Sequence, residues 1–119
     1  MAHRLSDLRR GRIIWAILRD HNGFAKNRPA IIITRTEDID LHAALEVMAI
    51  TTSFPSPALA NHIELPWHPQ GKTRTRLRRR SAAVVNWLDE VNTDEILELQ
   101  GDVPPALMLQ ILERLDQLQ

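Results

Sequence analysis

The chain contains no cysteine and no tyrosine, and glycine accounts for only 4 of its 119 residues. Because cysteine is missing, disulfide bonds, thiolate chemistry and cysteine-based zinc sites are excluded. No apolar run reaches the roughly 18 residues that span a bilayer. The start MAHRLSDLRR has no apolar h-region after its basic residues. We therefore expect no membrane segment and no secretory signal, and we expect the protein to reside in the cytoplasm.

Common catalytic and metal-binding motifs are also missing. The sequence shows no GxGxxG, Walker or GxSxG pattern. Its five histidines form no i,i+4 pair and have no companion cysteines, although metal sites depend on ligands at such spacings. We expect neither a metal ion nor a cofactor.

The residues that are present are typical of one small globular domain. With 119 residues, of which 44% are hydrophobic and 25% charged, the chain is expected to form a single domain over 1–119. Its first nine residues are expected to form a ragged N-terminal arm. Six β-branched or alternating apolar segments predict strands, at 11–18, 29–34, 44–52, 62–65, 81–91 and 96–100.

The last segment predicts a helix. Pro104 and Pro105 suit a first helical turn, and leucine, methionine and isoleucine then recur at helical spacing as far as Leu118. Short strands followed by one amphipathic helix indicate a mainly β fold, a small barrel or half-open barrel of about five to seven strands with a C-terminal helix.

Charge is distributed unevenly along the chain. Residues 1–80 hold 14 Lys and Arg against 7 Asp and Glu, a balance of +7, whereas residues 81–119 hold 1 against 8, a balance of −7. This asymmetry indicates either a basic face for an anionic partner or two halves that neutralise each other in the fold.

The strongest basic signal is the run KTRTRLRRR at 72–80. If this run is extended, the alternation places Lys72, Arg74 and Arg76 on one side of a ribbon, where they match a phosphate backbone. The alternative is a solvated hairpin whose charges only prevent aggregation.

A second cation of interest is Arg28, which stands directly before Pro29 at the start of an apolar strand. The residue before a proline is restricted to extended geometry, so the arginine side chain is aimed rather than free. Thr51, Thr52 and Ser53 close another β-branched strand. Their hydroxyls either cap that strand at the surface or face the same pocket as Arg28.

In these features the chain resembles the PemK/MazF family of toxins from type II toxin–antitoxin systems. The resemblance covers about residues 9–116 and rests on the order and spacing of several motifs. These are Arg10-Gly11 with the strand IIWAIL, Arg28-Pro29 with AIIIT, MAIT at 48–51, His62-Ile63-Glu64-Leu65, the strand SAAVVNWLDEV, and the final helix.

The resemblance implies an SH3-like half-barrel that forms a homodimer, cleaves single-stranded RNA without a metal and is neutralised by a small antitoxin protein. It implies that the RNA 2′-OH attacks the adjacent phosphate and leaves a 2′,3′-cyclic phosphate. Arg28 would stabilise charge on that phosphate, Thr51 would hydrogen-bond to it, and His21 would be a candidate base. The implied RNA-binding residues are Lys26, Thr52, Ser53, Lys72, Arg74, Arg76 and Asn86.

Two positions depart from the family pattern. Arg12 stands where members usually carry an acidic residue, and the late strand reads NWLDE at 86–90 instead of Asp/Glu-Gln-x-Arg-Thr. These departures leave two alternatives open. One is a non-catalytic toxin-fold module that binds nucleic acid or poisons a topoisomerase, and the other is a solitary regulatory domain.

Overall fold

The computed structural model describes residues 4–118. Within that range no helix is long and apolar enough to cross a bilayer. Short 3-10 turns occupy Leu5–Asp7, Thr36–Asp38 and Thr93–Glu95. The main elements are β1 (Arg12–Arg19), β2 (Ala25–Ile32), β3 (Leu45–Thr51), β4 (His62–Leu65), β5 (Ser81–Val91), β6 (Ile96–Asp102) and α1 (Pro105–Leu118).

The strands form one antiparallel sheet in the order β4-β5-β3-β2-β1-β6. β4 and β6 are the two edges, so the sheet is not closed. The number of strands, the open edges and the single C-terminal helix confirm the predicted mainly β half-open barrel.

The sheet bends where β5 leaves β3. Met48 pairs with Leu88, but Ile50 pairs with Ala83, so four residues of β5, 84–87, face only one residue of β3. Such a bulge kinks its strand and redirects the side chains on it. This kink places Asn86 and Trp87 at the rim of the barrel, next to the β1–β2 hairpin.

Two apolar clusters hold the central strands, one on each face. Alternate residues divide between them: Ile13 and Ile31 join the first cluster, whereas Ile14 and Ile32 join the second. The helix α1 covers the first cluster with its buried side chains, chiefly Ile111. Because adjacent residues of a strand point to opposite faces, a continuous apolar run is what a strand covered on both faces requires.

The start of the described chain is anchored, so the prediction of a ragged arm over residues 1–9 is wrong for residues 8 and 9. Leu8 is buried in the second cluster. Arg9 donates from Nε and Nη2 to the Asp102 carboxylate at 2.9 and 2.8 Å. That hydrogen-bonded carboxylate raises the pKa of Arg9. Residues 1–3 lie outside the described residues.

The second strand begins four residues earlier than its apolar run predicts. Residues 25–28, expected to be loop, pair with β1, with Lys26 opposite Leu18 and Arg28 opposite Ala16. Pro29 is therefore inside β2 and not at its first position. It is tolerated because pairing with β3 begins only at Ala30, so the missing N–H falls where that ladder ends.

The connection between β4 and β5, residues 66–80, is called the basic loop here. It is not an extended ribbon, so that prediction is wrong. A turn closes where Arg76 N donates to Thr73 O at 3.1 Å, and Arg76 has a positive φ of 58°. The Thr75 side chain is fully buried and donates to Pro66 O at 2.6 Å. Lys72, Arg74 and Arg76 are exposed as the alternation predicts, but a turn and not an extended ribbon presents them.

Strand β6 fixes this loop from the other side. Gln100 Nε2 donates to Arg76 O at 2.6 Å, and Asp102 N donates to Arg74 O at 2.9 Å. Between them lies Gly101, where an added Cβ would stand 2.1 Å from Arg74 O. Glycine is required at this point because the two backbones touch.

Candidate functional site

A cavity of about 580 Å³ opens at the end of the sheet where β2, β3 and the basic loop meet. We call it the Arg28 cavity. Its lining comes from five separate parts of the chain: Trp15 of β1, residues 26–29, residues 50–53, the junction of the basic loop with β5, and Gln100 of β6. The residues lining it are Trp15, Lys26, Asn27, Arg28, Pro29, Ile50, Thr51, Thr52, Ser53, Leu77, Arg78, Arg79, Ser81 and Gln100.

Arg28 and Thr51 lie near each other in sequence register, on the neighbouring strands β2 and β3. Ala30 and Ala49 form the last pair of the β2–β3 ladder, and Arg28 and Thr51 each lie two residues beyond that pair. Both residues line the Arg28 cavity. Of the two alternatives for the hydroxyl group of Thr51, the structure places this residue at the same pocket as Arg28.

The Arg28 guanidinium has a partner on one side only. Its Cζ lies 5.0 Å from the centroid of the Trp87 ring, within the range of a cation–π contact. Its Nε is buried and has no hydrogen-bond partner within residues 4–118. Leaving a buried donor unsatisfied costs about 1–3 kcal/mol. None of the ion pairs among the described residues involves Arg28, so its positive charge is not neutralised by a carboxylate there.

Thr51 is oriented by a local turn. Its Oγ1 accepts from Ser53 N at 3.1 Å and donates to Ser53 O at 3.2 Å. The second contact is long for an O–H···O bond, which usually spans about 2.7–2.8 Å. The hydroxyl hydrogen is thus weakly held and can turn toward a better acceptor in the cavity.

The Arg28 cavity is strongly cationic. Lys26, Arg28, Arg78 and Arg79 line it, and its lining contains no aspartate, glutamate or histidine. Nothing inside the cavity neutralises these four charges, so its field favours an anion. Arg80, the next cation of the basic run, is occupied elsewhere, because it donates to Glu64 at 3.1 Å and stacks on Phe54 at 3.8 Å.

A hydrogen-bond chain fixes the wall opposite Arg28. Trp15 Nε1 donates to Gln100 Oε1 at 2.6 Å, and the same amide holds the basic loop through Arg76 O. The half-buried indole thereby sets the position of the loop that carries Arg78 and Arg79. These positions are preorganised by the fold before any ligand arrives.

A second cavity, also of about 580 Å³, lies on the other side of Trp87, and we call it the Asn86 cavity. His21 and Asn86 line this cavity and not the one at Arg28. The Asn61 amide donates from Nδ2 to Asn86 Oδ1 at 2.8 Å. The full lining is Arg19, Asp20, His21, Asn61, Val84, Asn86, Trp87, Leu88 and Asp89.

The structure divides the candidate residues into three groups. Arg28, Thr51, Lys26, Thr52 and Ser53 share the Arg28 cavity. His21 and Asn86 share the second cavity. Lys72, Arg74 and Arg76 are exposed on the basic loop and line neither of the two.

Several residues that line the Arg28 cavity were not predicted from the sequence. Arg78 and Arg79 belong to the basic run, but the alternation favoured its earlier cations. Trp15, Ser81 and Gln100 carried no signal at all. Among residues 4–118, no three histidine, aspartate or glutamate side chains are grouped closely enough to hold a metal ion.

The fold and the sequence both match known proteins. The chain matches solved structures of a MazF from Deinococcus radiodurans (TM-score 0.72, 11% identity, 93% of this chain and 94% of that one) and an endoribonuclease from a mycobacterial species (TM-score 0.70, 15% identity, 93% and 89%). A mycobacterial endoribonuclease in complex with its cognate antitoxin also matches (TM-score 0.67, 17% identity, 92% of each chain).

At these identities the solved structures establish the fold alone. No curated protein matches the sequence. A family model, however, matches residues 9–118, nearly the whole chain; it describes the PemK-like, MazF-like toxin of type II toxin–antitoxin systems. The motifs that suggested this family in the sequence lie within the matched range. The chain belongs to the PemK-like, MazF-like toxin family.

Proposed function

We propose that this protein is the toxin of a type II toxin–antitoxin system and that it cleaves single-stranded RNA. The observation that carries the proposal is the Arg28 cavity, where four cations and Thr51 converge without a carboxylate. Membership of the toxin family supports it. Solved structures of the same fold include proteins described as endoribonucleases.

The reaction that these residue types suit is an internal transesterification. The RNA 2′-oxygen attacks the adjacent phosphorus, the bond from phosphorus to the 5′-oxygen breaks, and a 2′,3′-cyclic phosphate forms. The 2′-OH proton leaves with a base, and the departing 5′-oxygen gains a proton. The step consumes no co-reactant and needs no metal, because charge stabilisation and proton transfer are its only requirements.

Arg28 is assigned the role of stabilising the negative charge that develops on the scissile phosphate. A guanidinium presents parallel N–H donors that match two phosphate oxygens, and such charge-assisted hydrogen bonds strengthen as negative charge develops. The lack of an ion pair on Arg28 among the described residues and its contact with Trp87 support this role, since the ring limits the positions that the guanidinium can take. Arg78 and Arg79 would bind the phosphates on either side of the scissile bond.

Thr51 is assigned a hydrogen bond to the scissile phosphate. Its hydroxyl can exchange the long contact to Ser53 O for a phosphate oxygen and still accept from Ser53 N. The proton acceptor is not assigned to a residue of the Arg28 cavity, because His21 lines the neighbouring cavity. His21 would reach the 2′-OH only if the RNA bridges the two cavities.

One observation favours a second candidate, a non-catalytic nucleic-acid-binding module. The lining of the Arg28 cavity contains no histidine or carboxylate that would take the 2′-OH proton. Under this alternative the four cations bind RNA with a steep salt dependence, and no product forms.

The test is RNA cleavage in EDTA. The wild-type protein should convert a labelled single-stranded RNA into fragments that end in a 2′,3′-cyclic phosphate. Arg28→Ala should slow cleavage by about 100-fold to 1000-fold, the usual cost of removing a donor to a developing oxyanion. The matched control is Arg35→Ala, because Arg35 is an exposed arginine paired with Asp38 outside the site. Full activity of Arg28→Ala, or no cleavage by the wild type in EDTA, contradicts the proposal.

Two protein partners form part of the proposal. The first is a cognate antitoxin, which accompanies several solved structures of this fold. The second is another copy of the chain, since β4 and β6 are open edges and Leu97 and Leu109 are 55% and 64% exposed. Light scattering at micromolar concentration should give the mass of a dimer, and a monomer there contradicts the second partner.

A further inference from the structure

Arg80 is a cation of the basic loop that does not line the Arg28 cavity. It lies directly before β5, and its side chain reaches the connection between β3 and β4, residues 52–61. Its Nη1 donates to Phe54 O and its Nη2 donates to Pro55 O, both at 3.2 Å. One side chain therefore bridges two successive carbonyls of a segment that is distant in the chain.

Two further contacts hold the Arg80 side chain itself. Its Nε donates to the Glu64 carboxylate of β4 at 3.1 Å, and its guanidinium carbon lies 3.8 Å from the centroid of the Phe54 ring. That ring also contacts the imidazole of His62, with 5.7 Å between the centroids. A planar guanidinium can donate along its edge and stack on its face at the same time, which a lysine ammonium cannot do. The guanidinium is thus held on its edge by hydrogen bonds and on its face by an aromatic ring.

The segment that Arg80 holds begins where the β3 ladder ends. Pairing of β3 with β5 stops at Thr51, opposite Ala82. Pro55 and Pro57 follow and have no N–H to donate, so this stretch cannot continue the ladder. Backbone outside such a ladder is more mobile than the strands beside it. The hydrogen bonds from Arg80 therefore fix the path of the chain as it leaves β3.

These hydrogen bonds lie next to the turn that orients Thr51. Ser53 N donates to Thr51 Oγ1 at 3.1 Å, and Ser53 O accepts from it at 3.2 Å. The carbonyl of Phe54, which Arg80 holds, belongs to the next residue. The peptide unit between Ser53 and Phe54 is planar and rigid. A shift of Phe54 is therefore transmitted to the backbone groups that direct the Thr51 hydroxyl.

We infer that Arg80 is a positioning residue for RNA cleavage: by clamping the carbonyls of Phe54 and Pro55, it holds the Thr51 hydroxyl in the orientation that the scissile phosphate requires. In this role Arg80 touches neither the RNA nor the reacting atoms. The inference rests on the proposed function and deepens it, because it assigns one cation of the basic run to the geometry of the site instead of to RNA binding. Such geometry matters, since a misplacement of about 1 Å can cost about 100-fold in rate.

The test is a double-mutant cycle on the cleavage of single-stranded RNA. Arg80→Ala should lower kcat about tenfold, whereas KM should stay within about threefold of the wild type, because the cations that bind the RNA are unchanged. If Arg80 acts through Thr51, it has nothing left to position once Thr51 is valine. In the Thr51→Val background, Arg80→Ala should therefore lower kcat by less than about twofold, since two changes in one network are not additive.

Arg80→Lys separates geometry from charge. Lysine keeps the positive charge beside Glu64 but cannot bridge two carbonyls and stack on Phe54, so its kcat should stay within about threefold of the alanine variant. The matched control is Arg35→Ala, because Arg35 is another exposed arginine paired with a carboxylate, that of Asp38. This control should leave kcat and KM unchanged. A merely structural role for Arg80 would lower stability, but its effect on kcat would persist in the Thr51→Val background.

A second measurement does not depend on cleavage. The Ser53 amide hydrogen reports the turn, so its exchange with solvent, followed by NMR, should be about fivefold or more faster in Arg80→Ala than in the wild type. Unchanged exchange, equal kcat for Arg80→Lys and the wild type, or independent effects of the alanine and valine changes would each overturn the inference, even when RNA is cleaved. Faster exchange in a protein that cleaves no RNA would sustain the clamp on the turn and refute the nuclease.

Discussion

Replacing Gly101 with alanine should uncouple the basic loop from the sheet. Gly101 has no positive φ, so alanine meets no backbone strain there, only the opposing loop. The new Cβ would stand 2.1 Å from Arg74 O and 2.5 Å from the carbonyl of Thr75. Carbon contacts are comfortable at about 3.5–4.0 Å, so the loop must retreat by roughly 1 Å or more.

The size of the effect follows from what that retreat breaks. The bonds from Asp102 N to Arg74 O and from Gln100 Nε2 to Arg76 O both cross the gap. Losing them costs about 0.5–1.5 kcal/mol each. Overpacking adds about 1–3 kcal/mol. We therefore expect Gly101→Ala to lower the free energy of unfolding by about 2–6 kcal/mol, measured by urea denaturation.

A matched glycine isolates the steric cause. Gly23 has a φ of +84° with nothing within 4 Å of an added Cβ, so Gly23→Ala measures backbone strain alone, about 1–2 kcal/mol. The folded fraction of Gly101→Ala should also bind RNA more weakly, because Arg78 and Arg79 belong to the basic loop and are displaced with it. A loss below 0.5 kcal/mol at Gly101 would refute the close approach on which this reasoning depends.

Three further predictions concern single contacts. Thr51→Val should slow RNA cleavage about tenfold to 100-fold, as expected for a lost hydrogen bond to a charged group. Thr51→Ser keeps the hydroxyl group and should cleave within about threefold of the wild-type rate. Equal cleavage rates for the valine and serine variants would contradict the role assigned to Thr51. Replacing both Arg78 and Arg79 with alanine should lower the steepness of log affinity for single-stranded RNA against log salt concentration by about 1.4, because two phosphate contacts are lost. An unchanged slope would show that Arg78 and Arg79 do not contact the RNA phosphates. Arg9→Gln should lower the free energy of unfolding by about 1 kcal/mol, because the Asp102 pair is partly exposed. Because the pKa of Arg9 is raised in the folded state, the stabilisation from its charge is complete below the unfolded-state pKa and is lost only as the pH rises through the folded-state pKa. The loss of stability in Arg9→Gln should therefore be equal at pH 6 and pH 9. A loss that differs between these two pH values would contradict the contact.

The apolar strands were predictable because their signal is local. The runs at 62–65 and 81–91 have the predicted bounds, and the final helix begins at Pro105. Residues 25–28 were missed because their pairing is set by the hairpin with β1 and not by their own hydrophobicity. An exposed hairpin stem contains no apolar run from which a strand could be predicted.

The site was predictable in part, for a related reason. Proline geometry and a strand end drew attention to Arg28 and Thr51, and both line one cavity. The prediction for the basic loop was wrong because alternation of charged residues places them on one side only if the chain is extended. Its real path is set by Thr75 and by Gly101 of a strand some 25 residues later, and no local pattern contains that contact.

The close contact between β6 and the basic loop has a consequence for protein synthesis. Chains emerge from the ribosome with the N-terminal part first, and the loop residues appear well before Gln100 and Gly101. Until β6 has emerged, the hydrogen bonds from Asp102 and Gln100 to the carbonyls of Arg74 and Arg76 are missing, and the Arg28 cavity lacks the wall formed by Gln100. The cationic cavity therefore gains this wall only after residues 100–102 have emerged. Under the proposed function, a nascent chain that lacks β6 has an incomplete site for RNA.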